Sequence, residues 1–134
     1  MIQLAYLSAT PVLLSADDIA QILLSSRSNN AKLEVTGLLV YKDGSVLQFL
    51  EGPDENVRKL FEKISQDKRH RNIILLYQKP IENRDFPEWT MGFSDLKAEG
   101  ATYLEGFEDV LGPDYDLKRL STTAAQKLVR LFRS

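Results

Sequence analysis

Apolar and polar positions alternate from the start of the chain. In residues 2–8, Ile2, Leu4, Tyr6 and Ser8 share one face at period two, which predicts a strand whose far end turns polar. After Pro11 the period lengthens. Ser15 followed by Asp18 forms a capping-box-like start, and Ile19, Ile22 and Leu23 recur at helical spacing in a helix expected to fade near residues 28–30. Residues 33–41 are rich in aliphatic and β-branched side chains, Asp43-Gly44 supplies a turn, and residues 46–51 resume strand character, so a β-hairpin is expected. Gly52-Pro53-Asp54-Glu55 opens a second helix whose buried stripe is Val57, Leu60, Phe61 and Ile64, ending around Asp67 or Lys68. Residues 73–77 form a short apolar run closed by Lys79-Pro80, and residues 89–95 supply a fifth strand.

Strand, helix, strand, strand, helix, strand is the βαββαβ order of an α+β, ferredoxin-like sheet with two helices on one face. The first and third strands are expected side by side at its centre, running parallel. Tyr6 then shares its face with Ile2 and Leu4, and Gln48 with Val46 and Leu50, so both polar groups point from neighbouring strands into the layer under the helices. Residues 101–111 and 117–132 read as two further helices separated by Gly112-Pro113-Asp114. The expected division is a sheet domain over residues 1–97 and a helical extension over 98–134.

Composition narrows the chemistry. A chain of 134 residues with 43% hydrophobic content suits one compact core. A net charge of −2 with dispersed basic residues leaves no electrostatic footprint for nucleic acid or an anionic membrane. Without cysteine, disulfides, thiolate metal sites and cysteine nucleophiles are excluded, and a cytoplasmic location is expected. No stretch is long and apolar enough to span a bilayer, and no signal-peptide pattern opens the chain.

A carboxamide on an apolar strand face costs about 1–3 kcal/mol if its donors and acceptor go unpaired. Gln48 therefore needs partners, and Tyr6 can be one. A flavin edge, with carbonyl oxygens and a bare ring nitrogen, is another, so one glutamine can bridge a tyrosine to a flavin. A tyrosine–glutamine pair that satisfies itself inside an ordinary core fits these two residues as well.

The wider pattern adds more. Tyr6-Leu7-Ser8, Asn30 ahead of Val35-Thr36-Gly37-Leu38-Leu39, Gln48-Phe49-Leu50-Glu51-Gly52, Asp67-Lys68-Arg69-His70 and Phe86-Pro87-Glu88-Trp89-Thr90-Met91 follow one another in an order and spacing that closely resembles the BLUF family of blue-light sensors, over roughly residues 1–97. That resemblance implies a noncovalently bound FAD, with Tyr6 as photochemical electron and proton donor and Gln48 as the relay to the flavin. It implies Asn30, and more loosely Asn29, at the ring edge, with Ser8 and Leu39 in the pocket and Ile22 and Ile64 as apolar walls. Asp67 and Arg69 would lie near the ribityl chain and phosphates, His70 beside the flavin, and Trp89 and Met91 on the segment that moves in signalling. Several of these residues also have plainer roles: Asn30 as a helix C-cap, Asp67 and Arg69 as a solvated pair, His70 as a structural residue, and the others as core packing. Val46 and Leu47 stand where the family often has an aromatic residue before the relay glutamine, which puts the tightness of the pocket in question. The resemblance also implies a short photoreceptor, not an enzyme, acting through a separate effector protein or self-association.

Two readings of other classes remain. An acylphosphatase-like hydrolase would use Arg27 and Asn30 around a phosphate, although no glycine-rich cradle precedes the first helix. A ligand-free regulatory module would leave Tyr6 and Gln48 as core polar residues.

Overall fold

The computed structural model describes residues 1–10, 15–42, 44–67, 71–87, 92–95 and 125–126. The elements are β1 (Ile2–Ala9), α1 (Ala16–Leu33), β2 (Thr36–Lys42), β3 (Ser45–Gly52), α2 (Asp54–Ser65), β4 (Arg71–Pro80) and β5 (Gly92–Asp95). The strands form one five-stranded sheet in the order β4-β1-β3-β2-β5. This is the expected α+β arrangement, with β5 added in parallel beside β2. The two expected C-terminal helices lie outside the described residues except for 125–126, which are helical and where Ala125 is fully buried.

One expectation is reversed: β1 and β3 are neighbours but run antiparallel. The chain returns through α1, so β2 runs in the same sense as β1, and the tight hairpin then turns β3 back. Side-chain alternation is indifferent to strand direction, so the predicted faces survive. Tyr6 stands directly opposite Gln48 in the β1–β3 ladder. Gly44 closes the hairpin at a φ of 82°, a left-handed geometry that glycine adopts without cost.

Helix α1 begins with the predicted capping box. The Asp18 amide donates to the Ser15 hydroxyl at 3.1 Å, and the Ser15 amide donates to the Asp18 carboxylate at 3.0 Å. Hydrogen bonding to the carboxyl by the Ser15 backbone amide first, and by the Ser15 side chain second, holds Asp18 below its usual pKa. The helix runs past the expected end near residue 30 and stops at Glu34, which adopts the left-handed conformation as C-cap. Asn30 is therefore within the last turn and is not the cap. Its carbonyl oxygen accepts from the Val35 amide at 2.9 Å, which steers the chain into β2.

Both helices cover the same sheet face. Leu23 of α1 and Val57 and Leu60 of α2 pack on Ile2, Leu4, Leu39, Val46 and Leu50. The opposite face buries Leu38, Leu47 and Phe49, with the Phe86 ring 5.9 Å from that of Phe49. β4 is an edge strand and is longer than its apolar run predicted, because Gln78, Lys79 and Pro80 continue the pairing to Ile2.

Candidate functional site

Between the helices and the sheet lies a cleft, partly open to solvent. Helix α1 contributes Ile22, Asn29 and Asn30, the sheet contributes Leu39 and Gln48, and α2 with the turn after it contributes Ile64 and Asp67. Seven of the residues singled out in the sequence thus meet on one cavity.

Tyr6 sits directly behind this cavity. It is fully buried, and its hydroxyl donates to Gln48 Oε1. Burial pushes the phenol well above the ordinary tyrosine pKa, and the charge of Asp67 adds to the shift. The phenol is accordingly neutral at any physiological pH. Phe61 of α2 packs a tilted ring against it at 5.4 Å between centroids, fixing the plane of the phenol.

Asn30 is 1% exposed, and it and Gln48 bring carboxamides to the cleft from two different elements. Aliphatic walls with amide groups at the margin match the chemistry of a flavin ring, whose faces are apolar and whose edge is rich in hydrogen-bonding atoms. The residues present therefore fit the cofactor.

Ser8 is buried on the helix-facing side of β1, opposite Val46, but does not line the cleft. Arg69, His70, Trp89 and Met91 lie outside the described residues. Thr10, Ser25, Ser26, Tyr41 and Lys63 line the cleft without having been singled out. A signal was available for two of them: Ile22, Ser25, Ser26 and Asn29 follow one another at three- and four-residue steps, a polar continuation of an apolar stripe. Arg27 is on the exposed part of α1, so the hydrolase arrangement gains no support.

The family model for sensors of blue light using FAD matches residues 1–92. The chain belongs to the BLUF family. The matched unit, residues 1–92, is a blue-light-sensing domain of the kind that uses FAD. Among relatives, the beta subunit of a photoactivated adenylate cyclase from Euglena longa is 37% identical over 89 residues, which is 66% of this chain and 10% of that protein. This chain spans only about a tenth of the length of such cyclase subunits. Among solved structures, the dark state of the BLUF protein BlrB superposes with a TM-score of 0.82 at 32% identity, covering 98% of this chain and 94% of that one. The ground state of BlsA gives a TM-score of 0.81 at 28% identity, covering 98% and 87%. Among the described residues, no helix is long and apolar enough to cross a membrane.

Proposed function

We propose that Tyr6 and Gln48 are the photochemical pair of this BLUF domain, and that light changes the hydrogen-bonding arrangement of Gln48. One observation carries the reading: the Tyr6 hydroxyl donates to the side chain of a glutamine that itself lines the cleft. When bound, FAD supplies a blue-absorbing ring whose excited state accepts an electron. Tyr6 gives up that electron together with its phenolic proton and later regains both, so no substrate is consumed. The raised phenol pKa keeps the proton in place until then. Gln48 has two bonding arrangements, amide oxygen or amide nitrogen toward the phenol, and loss and return of the phenolic proton allows one to exchange for the other.

The other cleft residues divide by chemistry. Asn30, with Asn29 beside it, holds the ring edge; Ile22, Leu39 and Ile64 exclude water from its faces; Asp67, followed in sequence by Arg69 and His70, belongs to the ribityl and phosphate side. Ser8 supports the strand behind Tyr6. The unit that binds the flavin spans residues 1–97, and 98–134, with Trp89 and Met91 ahead of it, carry the change to an effector or to a second copy of the chain.

The Tyr6→Phe variant tests this directly. It removes the hydroxyl and nearly preserves the ring volume, so the protein should remain yellow and show no light-induced red shift of its visible band. A normal red shift and dark recovery in that variant would refute the assignment.

A further inference from the structure

The β1–β3 ladder carries a second cross-strand pair three rungs from the first and on the opposite face: Gln3 stands opposite Glu51 as Tyr6 stands opposite Gln48. Gln3 and Glu51 are both fully buried. Gln3 Nε2 donates to Glu51 Oε2 at 2.9 Å and to Asp85 Oδ2 at 2.8 Å, while its Oε1 accepts from the Tyr77 hydroxyl at 2.6 Å. This is again a tyrosine–glutamine pair, but a locked one. Turning the Gln3 amide over would set its oxygen against two carboxylates and its N–H against a donating phenol.

Glu51 extends this network to a different segment. Its Oε1 accepts from the Phe86 amide at 2.6 Å and its Oε2 from the Asp85 amide at 2.9 Å. Arg84 completes the attachment, donating to the Glu51 carbonyl oxygen at 3.0 Å, to Thr36 Oγ1 at 2.9 Å and to the carbonyl oxygen of the helix cap Glu34 at 2.6 Å. Residues 84–86 are thereby clipped to the end of the strand that carries Gln48, to the start of β2 and to the end of the helix that carries Asn30. The same stretch leads on toward β5, which pairs with β2.

We infer that Glu51 is a positioning residue of the photocycle: it ties the Gln48 strand to residues 84–86, so that rearrangement at Gln48 displaces that segment. This rests on the photoreceptor reading above. The mechanism is mechanical. Both pairs are rungs of one ladder, so any change in spacing or twist at Tyr6–Gln48 is imposed on Gln3–Glu51, where the locked amide passes it to Asp85 and Glu51 passes it to Asp85 and Phe86 instead of absorbing it by rotation.

The test uses the full FAD-loaded chain before and after blue illumination, with three readouts: the visible red shift, its dark recovery, and the light-minus-dark difference in amide exchange over residues 81–87. In the parent protein that segment should exchange differently in the light. Glu51→Gln turns one of the two carboxylate oxygens into an NH2 group, which then faces the donating N–H of either Asp85 or Phe86. It should keep the red shift, lose the exchange difference and change the recovery rate by about fivefold. Arg84→Lys, which keeps the charge and loses the forked geometry, should act in the same direction and serves if Glu51→Gln does not fold. A parent protein with a red shift and no exchange difference at 81–87, or variants with both that difference and a recovery within about twofold of the parent, would overturn the inference alone. A parent protein without any red shift would overturn the photoreceptor reading and the inference with it.

Discussion

A β-carbon added at Gly37 would lie 1.9 Å from the carbonyl oxygen of Phe49 on the neighbouring strand. Gly37 sits opposite Leu50 in the β2–β3 ladder, two rungs from the Leu39–Gln48 pair. The obstacle is backbone, so no rotamer change relieves it, and the strands must part by about 1 Å to reach even the closest tolerated contact. A displacement of that size stretches adjacent ladder hydrogen bonds beyond useful length, and two such bonds contribute about 1–3 kcal/mol net. With the overpacking itself at about 1–3 kcal/mol, Gly37→Ala should cost about 3 kcal/mol, a large share of the 5–15 kcal/mol that holds a typical domain together. Thermal unfolding followed in the dark by circular dichroism should shift down by about 10 °C. The visible band should also report a looser pocket, because the separated strands carry Leu39 and Gln48. If Gly37→Ala unfolds within about 1 kcal/mol of the parent, the strands are not held as closely as the geometry requires and the reasoning fails.

Two further predictions concern the cleft and its titrating groups. Asn30→Ala should weaken FAD binding by about two- to tenfold, the equivalent of one net hydrogen bond, as read from flavin fluorescence on titration; unchanged affinity would remove Asn30 from the ring edge. Burial raises the phenols of Tyr6 and Tyr77, with the neighbouring carboxylate charge adding to each shift. Their neutral forms are favoured by the fold, so this stabilisation is complete below about pH 10 and is lost as pH rises from there toward the folded values. Unfolding free energies from urea titrations should fall above about pH 10 with a slope approaching 1.4 kcal/mol per pH unit for each phenol, and a flat profile would contradict their burial.

The pairing of Tyr6 with Gln48 was legible because period-two alternation assigns a face to each residue whatever the strand's direction. Direction itself was not, since alternation is identical in parallel and antiparallel neighbours; only tracing the crossover and the hairpin settles it. The end of α1 is not marked in the sequence: no glycine follows Leu33, and Glu34 takes the left-handed cap conformation despite its side chain. β4 extends beyond its apolar run because an edge strand tolerates polar residues and a closing proline. Gln3 and Glu51 are polar at alternate positions, a pattern that ordinarily marks a solvated face. Their burial depends on residues 84–86, 33 or more positions beyond Glu51 and 81 or more beyond Gln3, which no local pattern reveals.

The strict rung-by-rung register of β1, β2 and β3 makes this photoreceptor far more sensitive to changes of length than of residue type. Inserting or deleting one amino acid in the turn between Lys42 and Ser45 and letting β3 slip accordingly would bring Leu47 or Phe49 to the position of Gln48 and carry the carboxamide through to the other side of the sheet. Light sensitivity would then vanish in a single step, without a weakened intermediate, so evolutionary tinkering by insertion is confined to segments outside the three central strands.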